Sequence, residues 1–134
     1  MIYGIGIDSV QIERFSDFKN IAHRQLARIF SDEEITYCLA TPINSAERFA
    51  VRFAAREALW KAFSTHTPTH SMPFFAFCKN IFITHSPNGA PKIGVHWDNL
   101  ASYLPTKFTA NFTTHLSLTH TRTTASAFVI LSTH

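Results

Sequence analysis

Ser45-Ala46-Glu47-Arg48-Phe49-Ala50-Val51-Arg52-Phe53-Ala54-Ala55-Arg56-Glu57-Ala58-Leu59-Trp60-Lys61-Ala62-Phe63 is the stretch that decides how this chain folds. It holds no glycine or proline, and Ser45 stands where an N-cap is expected, so it predicts a helix from Ala46 to about Phe63. On a helical wheel Phe49, Phe53, Trp60 and Phe63 fall within about 80° of arc, and alanines fill much of the remainder. A helix this apolar nearly all round belongs at the centre of a fold. Its charges then need a reason. Glu57 and Lys61 are spaced i, i+4 and make a surface ion pair in the plainest reading. A carboxylate in the middle of a core helix, however, is costly to bury unless something cationic meets it.

Working outward, Ile2-Tyr3-Gly4-Ile5-Gly6-Ile7-Asp8 alternates strictly and reads as a strand. Tyr3, Ile5 and Ile7 share one face; Gly4, Gly6 and Asp8 share the other. Glycines on one face either pack another backbone closely or leave room for a ligand, and here they are expected to keep Asp8's side uncluttered. Ser9 is expected to start a short helical turn through Arg14 and Phe15, and Asn20 to cap a helix over residues 21–29. Ser31-Asp32-Glu33-Glu34 is a capping box opening a helix to about Leu39, which Thr41-Pro42 ends. Beyond Ser64, the run Thr65–Pro73 has two prolines and no periodicity, so it reads as a loop.

Next, Asn80–His85 and Lys92–Trp97 read as paired strands around Ser86-Pro87-Asn88-Gly89-Ala90-Pro91, whose Asn-Gly pair tolerates positive φ. A short helix near Asn99–Leu104 stops at Pro105. Two last strands, about Phe112–Thr119 and Ala125–Leu131, flank a polar turn. The order is strand, helices, hairpin, hairpin, without internal repeat. That is α+β: a single small domain over residues 1–134, with a long central helix packed on a mostly antiparallel sheet.

The 134 residues suit one domain. Hydrophobic residues at 46% and charged residues at 16% exclude a disordered chain. The net charge of +3 is far short of a nucleic-acid-binding arm. Met1 leads straight into the patterned strand without a basic n-region, so no signal peptide is expected, and no apolar run approaches the roughly 20 residues that cross a bilayer. Cys38 and Cys78 form no metal-type pair and read as reduced thiols of a cytosolic protein.

Asp8 and Glu57 together would make a two-carboxylate site for a hard cation such as Mg²⁺, which completes its octahedron with waters and phosphates. Lys61 could reach the same phosphates or accept a proton. Spacing alone singles out no chemistry here, since any two acids could be paired in this way. Among the eight histidines, His66 and His70 are separated by Pro68, which argues against a helical zinc pair. His115 and His120 flank Leu116-Ser117-Leu118-Thr119, where the leucines face the core and His120 ends the strand. Arg14, Arg24 and Arg28, with Lys19, give the early segment a basic face. It is either solvated or a docking surface for an acidic partner. Aromatics do not interleave with these charges in any nucleic-acid-binding pattern.

Four blocks together carry a family resemblance: Gly4-Ile5-Gly6-Ile7-Asp8; Arg52-Phe53-Ala54-Ala55-Arg56-Glu57-Ala58 with Lys61-Ala62; Asn88-Gly89-Ala90-Pro91; and His115-Leu116-Ser117-Leu118-Thr119-His120. In this order and spacing the chain resembles the holo-[acyl-carrier-protein] synthase family, the small phosphopantetheinyl transferases. The resemblance implies a cytoplasmic homotrimer of fatty acid biosynthesis, with active sites between subunits. It would move the 4′-phosphopantetheine arm of coenzyme A to a serine of apo-acyl carrier protein and release adenosine 3′,5′-bisphosphate.

It further implies Mg²⁺ on Asp8 and Glu57, Lys61 beside the phosphates, and His120 closing or bordering the site. Asn88, Gly89 and Pro91 would lie against adenine and ribose, and Arg14, Arg24 and Arg28 would meet the carrier protein. The serine's proton acceptor stays open between Lys61, a metal-bound water and a partner residue. Three places depart from the family: the glycine-free stretch after Phe63, Trp60 where a small residue is usual, and Arg56 where lysine is common. The alternatives are a catalytically silent homologue that still binds carrier protein or coenzyme A, and a Mg²⁺-dependent hydrolase of another nucleotide.

Overall fold

Strict alternation carries strand β1 from Ile2 to Gln11, past the expected end at Asp8, because Val10 continues the inward face of Gly4, Gly6 and Asp8. The computed structural model describes residues 1–65, 72–103 and 111–134. Within them β1 pairs antiparallel with β5 (Thr124–Thr133), and β5 pairs antiparallel with β4 (Phe112–His120), giving the order β1-β5-β4. The register sets Asp8 opposite Ala127 and His120 opposite Ala125. A second, two-stranded sheet joins β2 (Ile81–His85) to β3 (Pro91–Val95), again antiparallel. The helices are α1 (His23–Leu26), α2 (Asp32–Leu39), α3 (Ser45–Ser64), α4 (Phe74–Cys78) and α5 (Trp97–Leu100). The α+β class is as expected.

Helix α3 lies across the inner face of the three-stranded sheet, and two glycines decide how closely. A Cβ on Gly4 would stand 1.9 Å from the Ala62 carbonyl oxygen, and one on Gly6 would stand 1.7 Å from that of Ala58. Strand and helix backbones therefore touch, with Ala58 and Ala62 on the helix side as the matching small residues. This corrects the expectation that Gly4 and Gly6 keep the inner side of β1 clear: the helix backbone fills it. Ile5 and Ile7 point outward instead, whereas Tyr3, expected on their face, packs on Phe63 and Phe112. Ile5 is 52% and Ile7 62% exposed, and Phe128, opposite Ile7 in the register, is 40% exposed.

Arg56 is wholly buried in α3 and is a structural tie. Its Nη1 and Nη2 donate to the two Glu34 carboxylate oxygens at 2.9 and 2.6 Å, and it also donates to the carbonyls of Arg52, Cys78 and Ile81. One planar fork thus joins α2, α3 and the start of β2, which a lysine's single ammonium does not reproduce. Glu34 is placed by the expected capping box: its N–H donates to Ser31 Oγ at 3.2 Å, and the Ser31 N–H donates to Glu34 Oε2 at 2.9 Å. Cys38 and Cys78 are free and buried, and burial pushes both thiols up to about 12.

Other local expectations are corrected. Ser9 stays in β1, its hydroxyl 2.7 Å from that of Ser126, and a 3-10 turn forms later, at Ile12–Phe15. Asn20 caps no helix. It ends a 3-10 turn from Phe18, whose ring packs on Phe15, Phe30 and Phe49, and α1 starts only at His23. Ser45 lies inside α3 with its hydroxyl buried and unpartnered, and Asn44 takes the N-cap position. Helix α4 was not anticipated. The helix expected near Asn99 begins at Trp97 and continues as a 3-10 turn to Tyr103. Leu104, Pro105 and residues 66–71 of the expected loop, with His66 and His70, lie outside the described residues.

Candidate active site

The alternation of β1 turns Asp8 inward, and the pitch of α3 brings Glu57 and Lys61 to it. Lys61 Nζ donates to Asp8 Oδ1 at 3.0 Å and to the Ile7 carbonyl at 3.1 Å. The lysine therefore ties α3 to β1 through Asp8, where the plainest reading paired it with Glu57. Asp8 is buried, and its second oxygen, Oδ2, has no hydrogen-bond partner. Glu57 is half-buried; burial and then the Asp8 carboxylate raise its pKa, while Lys61 and Arg14 oppose the shift. Two carboxylates with one orphaned buried oxygen form a donor set that fits a hard divalent cation.

Around this half-site, the Arg14 guanidinium lies over the rings of Phe15 and Phe53, 5.7 and 5.9 Å from their centroids. Trp60, next to Lys61, packs on Phe74 at 5.2 Å, and its indole N–H is buried without a partner. Arg24 and Arg28 are exposed on α1 and just beyond it, with Lys19 exposed nearby in sequence.

A second half-site lies toward the N-terminal end of α3. It is a groove of about 320 Å³ whose lining includes Tyr37, Glu47, Arg48, Arg52, His85, Pro91 and His120. Arg48 and Arg52, one helical turn apart, lie over the Tyr37 ring at 4.0 and 4.6 Å from its centroid. Arg48 also donates to the Tyr37 carbonyl at 2.8 Å; Arg52, buried, donates to the Arg48 carbonyl at 3.1 Å and sets its Nε 4.0 Å from Glu34 Oε1. Two cations one turn apart in a concave surface suit a phosphate. Sequence reasoning named Arg52 only within a motif and gave Arg48 no role; their i, i+4 spacing was the available signal.

His120 reaches this groove from the end of β4, its Nε2 3.0 Å from Glu47 Oε1. In the turn after β2, Gly89 has φ +87°, a positive φ of the kind the Asn-Gly pair tolerates. The Asn88 side chain is held by the Ser86 hydroxyl and accepts from the Ala90 N–H at 3.1 Å. Pro91 and His120 thus share one groove. Asn88 and Gly89 are exposed at the turn leading into it.

The two half-sites stand apart in the chain. Asp8 lies on β1 and His120 on β4, with β5 between them, so two strand spacings of about 4.8 Å each separate them across the sheet. Along α3, Glu47 precedes Glu57 by ten residues, about 15 Å of helix.

Residues 4–125 match the family model described as the 4′-phosphopantetheinyl transferase superfamily. The chain belongs to this superfamily. Among curated relatives of this phosphopantetheinyl transferase chain, the holo-[acyl-carrier-protein] synthase of Treponema denticola is 35% identical over 131 residues, 98% of each chain. Among solved structures, the holo-[acyl-carrier-protein] synthase of Neisseria meningitidis superposes with a TM-score of 0.74 at 29% identity, covering 98% of this chain and 99% of that one. The Helicobacter pylori enzyme of the same name, solved in complex with coenzyme A, superposes with a TM-score of 0.69 at 27% identity, covering 96% and 99%.

Proposed function

We propose that this phosphopantetheinyl transferase, acting as one domain over residues 1–134, moves the 4′-phosphopantetheine arm of coenzyme A onto a serine of apo-acyl carrier protein in fatty acid biosynthesis. The observation that carries the reading is the pairing of a carboxylate half-site with a basic groove, in a chain that matches holo-[acyl-carrier-protein] synthases over nearly its whole length. In the reaction the serine oxygen bonds to the phosphorus that bears pantetheine. The phosphoanhydride bond breaks, adenosine 3′,5′-bisphosphate leaves with the electron pair, and the proton of the serine hydroxyl passes to a base at the site.

Negative charge grows on the leaving group, so the protein's work is positioning and charge stabilisation. Arg48 and Arg52 hold a phosphate in the groove, while Pro91 and the Asn88-Gly89 turn border adenine and ribose and His120 closes the edge. Lys61, fixed by Asp8 and the Ile7 carbonyl, offers its ammonium to the diphosphate. Asp8 and Glu57 would hold Mg²⁺, which as a Lewis acid neutralises diphosphate charge. A silent homologue is disfavoured, because two facing carboxylates are costly to keep without a use.

The site is completed by the carboxylate half of one copy and the groove of another, in the homotrimer that the family resemblance implies. The outward Ile5, Ile7 and Phe128 form an apolar surface through which copies meet. Arg14, Arg24 and Arg28, all exposed, receive the acidic carrier protein. The setting is cytoplasmic, in keeping with the two free thiols; among the described residues no helix is long and apolar enough to cross a membrane. The test is intact-mass spectrometry of apo-acyl carrier protein incubated with the enzyme, coenzyme A and Mg²⁺. A gain of one phosphopantetheine, absent with EDTA, is expected; no gain with several carrier proteins would overturn the reading.

A further inference from the structure

One carboxylate stands in a groove whose arginines are there to draw an anion. Glu47 lies on α3 directly before Arg48, and its Oε1 is 3.0 Å from Nε2 of His120. The other ring nitrogen, Nδ1, is 3.3 Å from the Thr121 carbonyl. That carbonyl belongs to a turn closed by its own hydrogen bonds. The Thr121 N–H donates to the Thr124 carbonyl at 2.8 Å, and the N–H groups of Thr123 and Thr124 donate to Thr121 Oγ1 at 3.3 and 3.1 Å. Both partners only accept, so whichever ring nitrogen carries hydrogen points at a fixed acceptor: a turn on one side, the central helix on the other. A negative charge beside Arg48 and Arg52 opposes binding of a phosphate, so what the carboxylate holds must outweigh what it repels.

We propose that Glu47 is a positioning residue for coenzyme A: by gripping His120 it fixes the imidazole at the groove's edge, where the nucleotide end of the ligand packs. This rests on the reading of the groove as the coenzyme A site. It assigns Glu47 a role through His120, without contact to the reacting atoms.

The test compares Glu47→Ala and Glu47→Gln, each alone and combined with His120→Ala. Readouts are KM for coenzyme A, kcat, and calorimetric titration with adenosine 3′,5′-bisphosphate. Glu47→Ala is expected to raise KM and the bisphosphate Kd about three-fold, the scale of a solvent-exposed ion pair, with the loss falling on KM rather than kcat. Glu47→Gln, which keeps an oxygen at the same reach, recovers most of it. With His120 already Ala, Glu47→Ala adds no penalty and tightens the bisphosphate, because only the repulsion of its charge is then removed.

An unchanged or tighter bisphosphate Kd in Glu47→Ala would overturn the proposal, as would a penalty that persists undiminished in the His120→Ala background. Should Glu47→Ala fail to fold in a thermal melt, Glu47→Asp, one methylene shorter, takes its place with the same expectation. The bisphosphate titration needs no carrier protein. Wild-type binding without transfer would therefore fail the reaction while leaving the Glu47 comparison readable, and absence of wild-type binding overturns both.

Discussion

Asp8, Glu57 and Lys61 hold one positive charge against two carboxylates, and that imbalance sets the behaviour of the site. The pKa of Glu57 is raised from 4.5 by burial first and by Asp8 second. A group whose folded value is raised contributes stability below its unfolded value and loses it as pH rises through the folded one. Glu57→Gln is therefore expected to melt about 1–3 °C higher than the wild type in EDTA at pH 7.5 and no higher at pH 4, a small gain because water screens the half-buried pair. Excess Mg²⁺ reverses the order, raising only the wild type. Mg²⁺ affinity, read by calorimetry, falls as the pH drops toward 5, because the metal needs the ionised carboxylate.

Asp8→Ala and Glu57→Ala are expected to keep the circular-dichroism spectrum and lose Mg²⁺-dependent turnover; normal turnover in either would remove the metal assignment. The inward side of Asp8 was legible from strand alternation; that Glu57 would be its neighbour was not, since spacing pairs any two acids equally well. The partner of Lys61 was not, because i, i+4 spacing points along one helix while the better acceptor came from another element.

At the scale of elements, the β1–α3 contact sets the position of everything else. A Cβ at Gly6 would fall 1.7 Å from a carbonyl oxygen of the helix backbone, so Gly6→Ala must push strand and helix apart. It is expected to cost about 3 kcal/mol or more, measured by urea denaturation, and to weaken Mg²⁺ binding by separating Asp8 from Glu57. Glu34→Ala leaves Arg56 charged, buried and unpaired, and is expected to cost about 3–5 kcal/mol. The Ser31 capping box was readable because all its parts lie within four residues. Asn20 and Ser45 looked equally good as caps. For Asn20 the outcome turned on the Phe18 ring, which packs on Phe15, Phe30 and Phe49, contacts that local sequence does not state. Helix α4 is only Phe74–Cys78, too short for any periodicity to announce it.

For the whole molecule, the α+β class and the order of its parts were legible, because a strand, an uninterrupted helix and turn-punctuated hairpins leave few alternatives. The division into sheets of three and two strands was not, since register and long-range pairing are set by packing. Nor was the separation of the residues into two half-sites, which depends on where β5 and α3 lie. The exposed basic face belongs to this scale as well. Arg24→Glu with Arg28→Glu is expected to raise KM for carrier protein about ten-fold and to flatten its salt dependence, as loss of charge steering requires. Salt-insensitive kinetics in the wild type would contradict a docking role.

The most direct test of the shared site is co-expression of two inactive chains, one carrying Asp8→Ala and the other Arg48→Ala with Arg52→Gln, assayed by the mass shift of apo-acyl carrier protein. If carboxylate half and groove come from different copies, equal random mixing gives a sound half of each kind at one interface in four. Activity then returns to about a quarter of the wild type. If each chain carries its own complete site, the mixture stays as inactive as its parts.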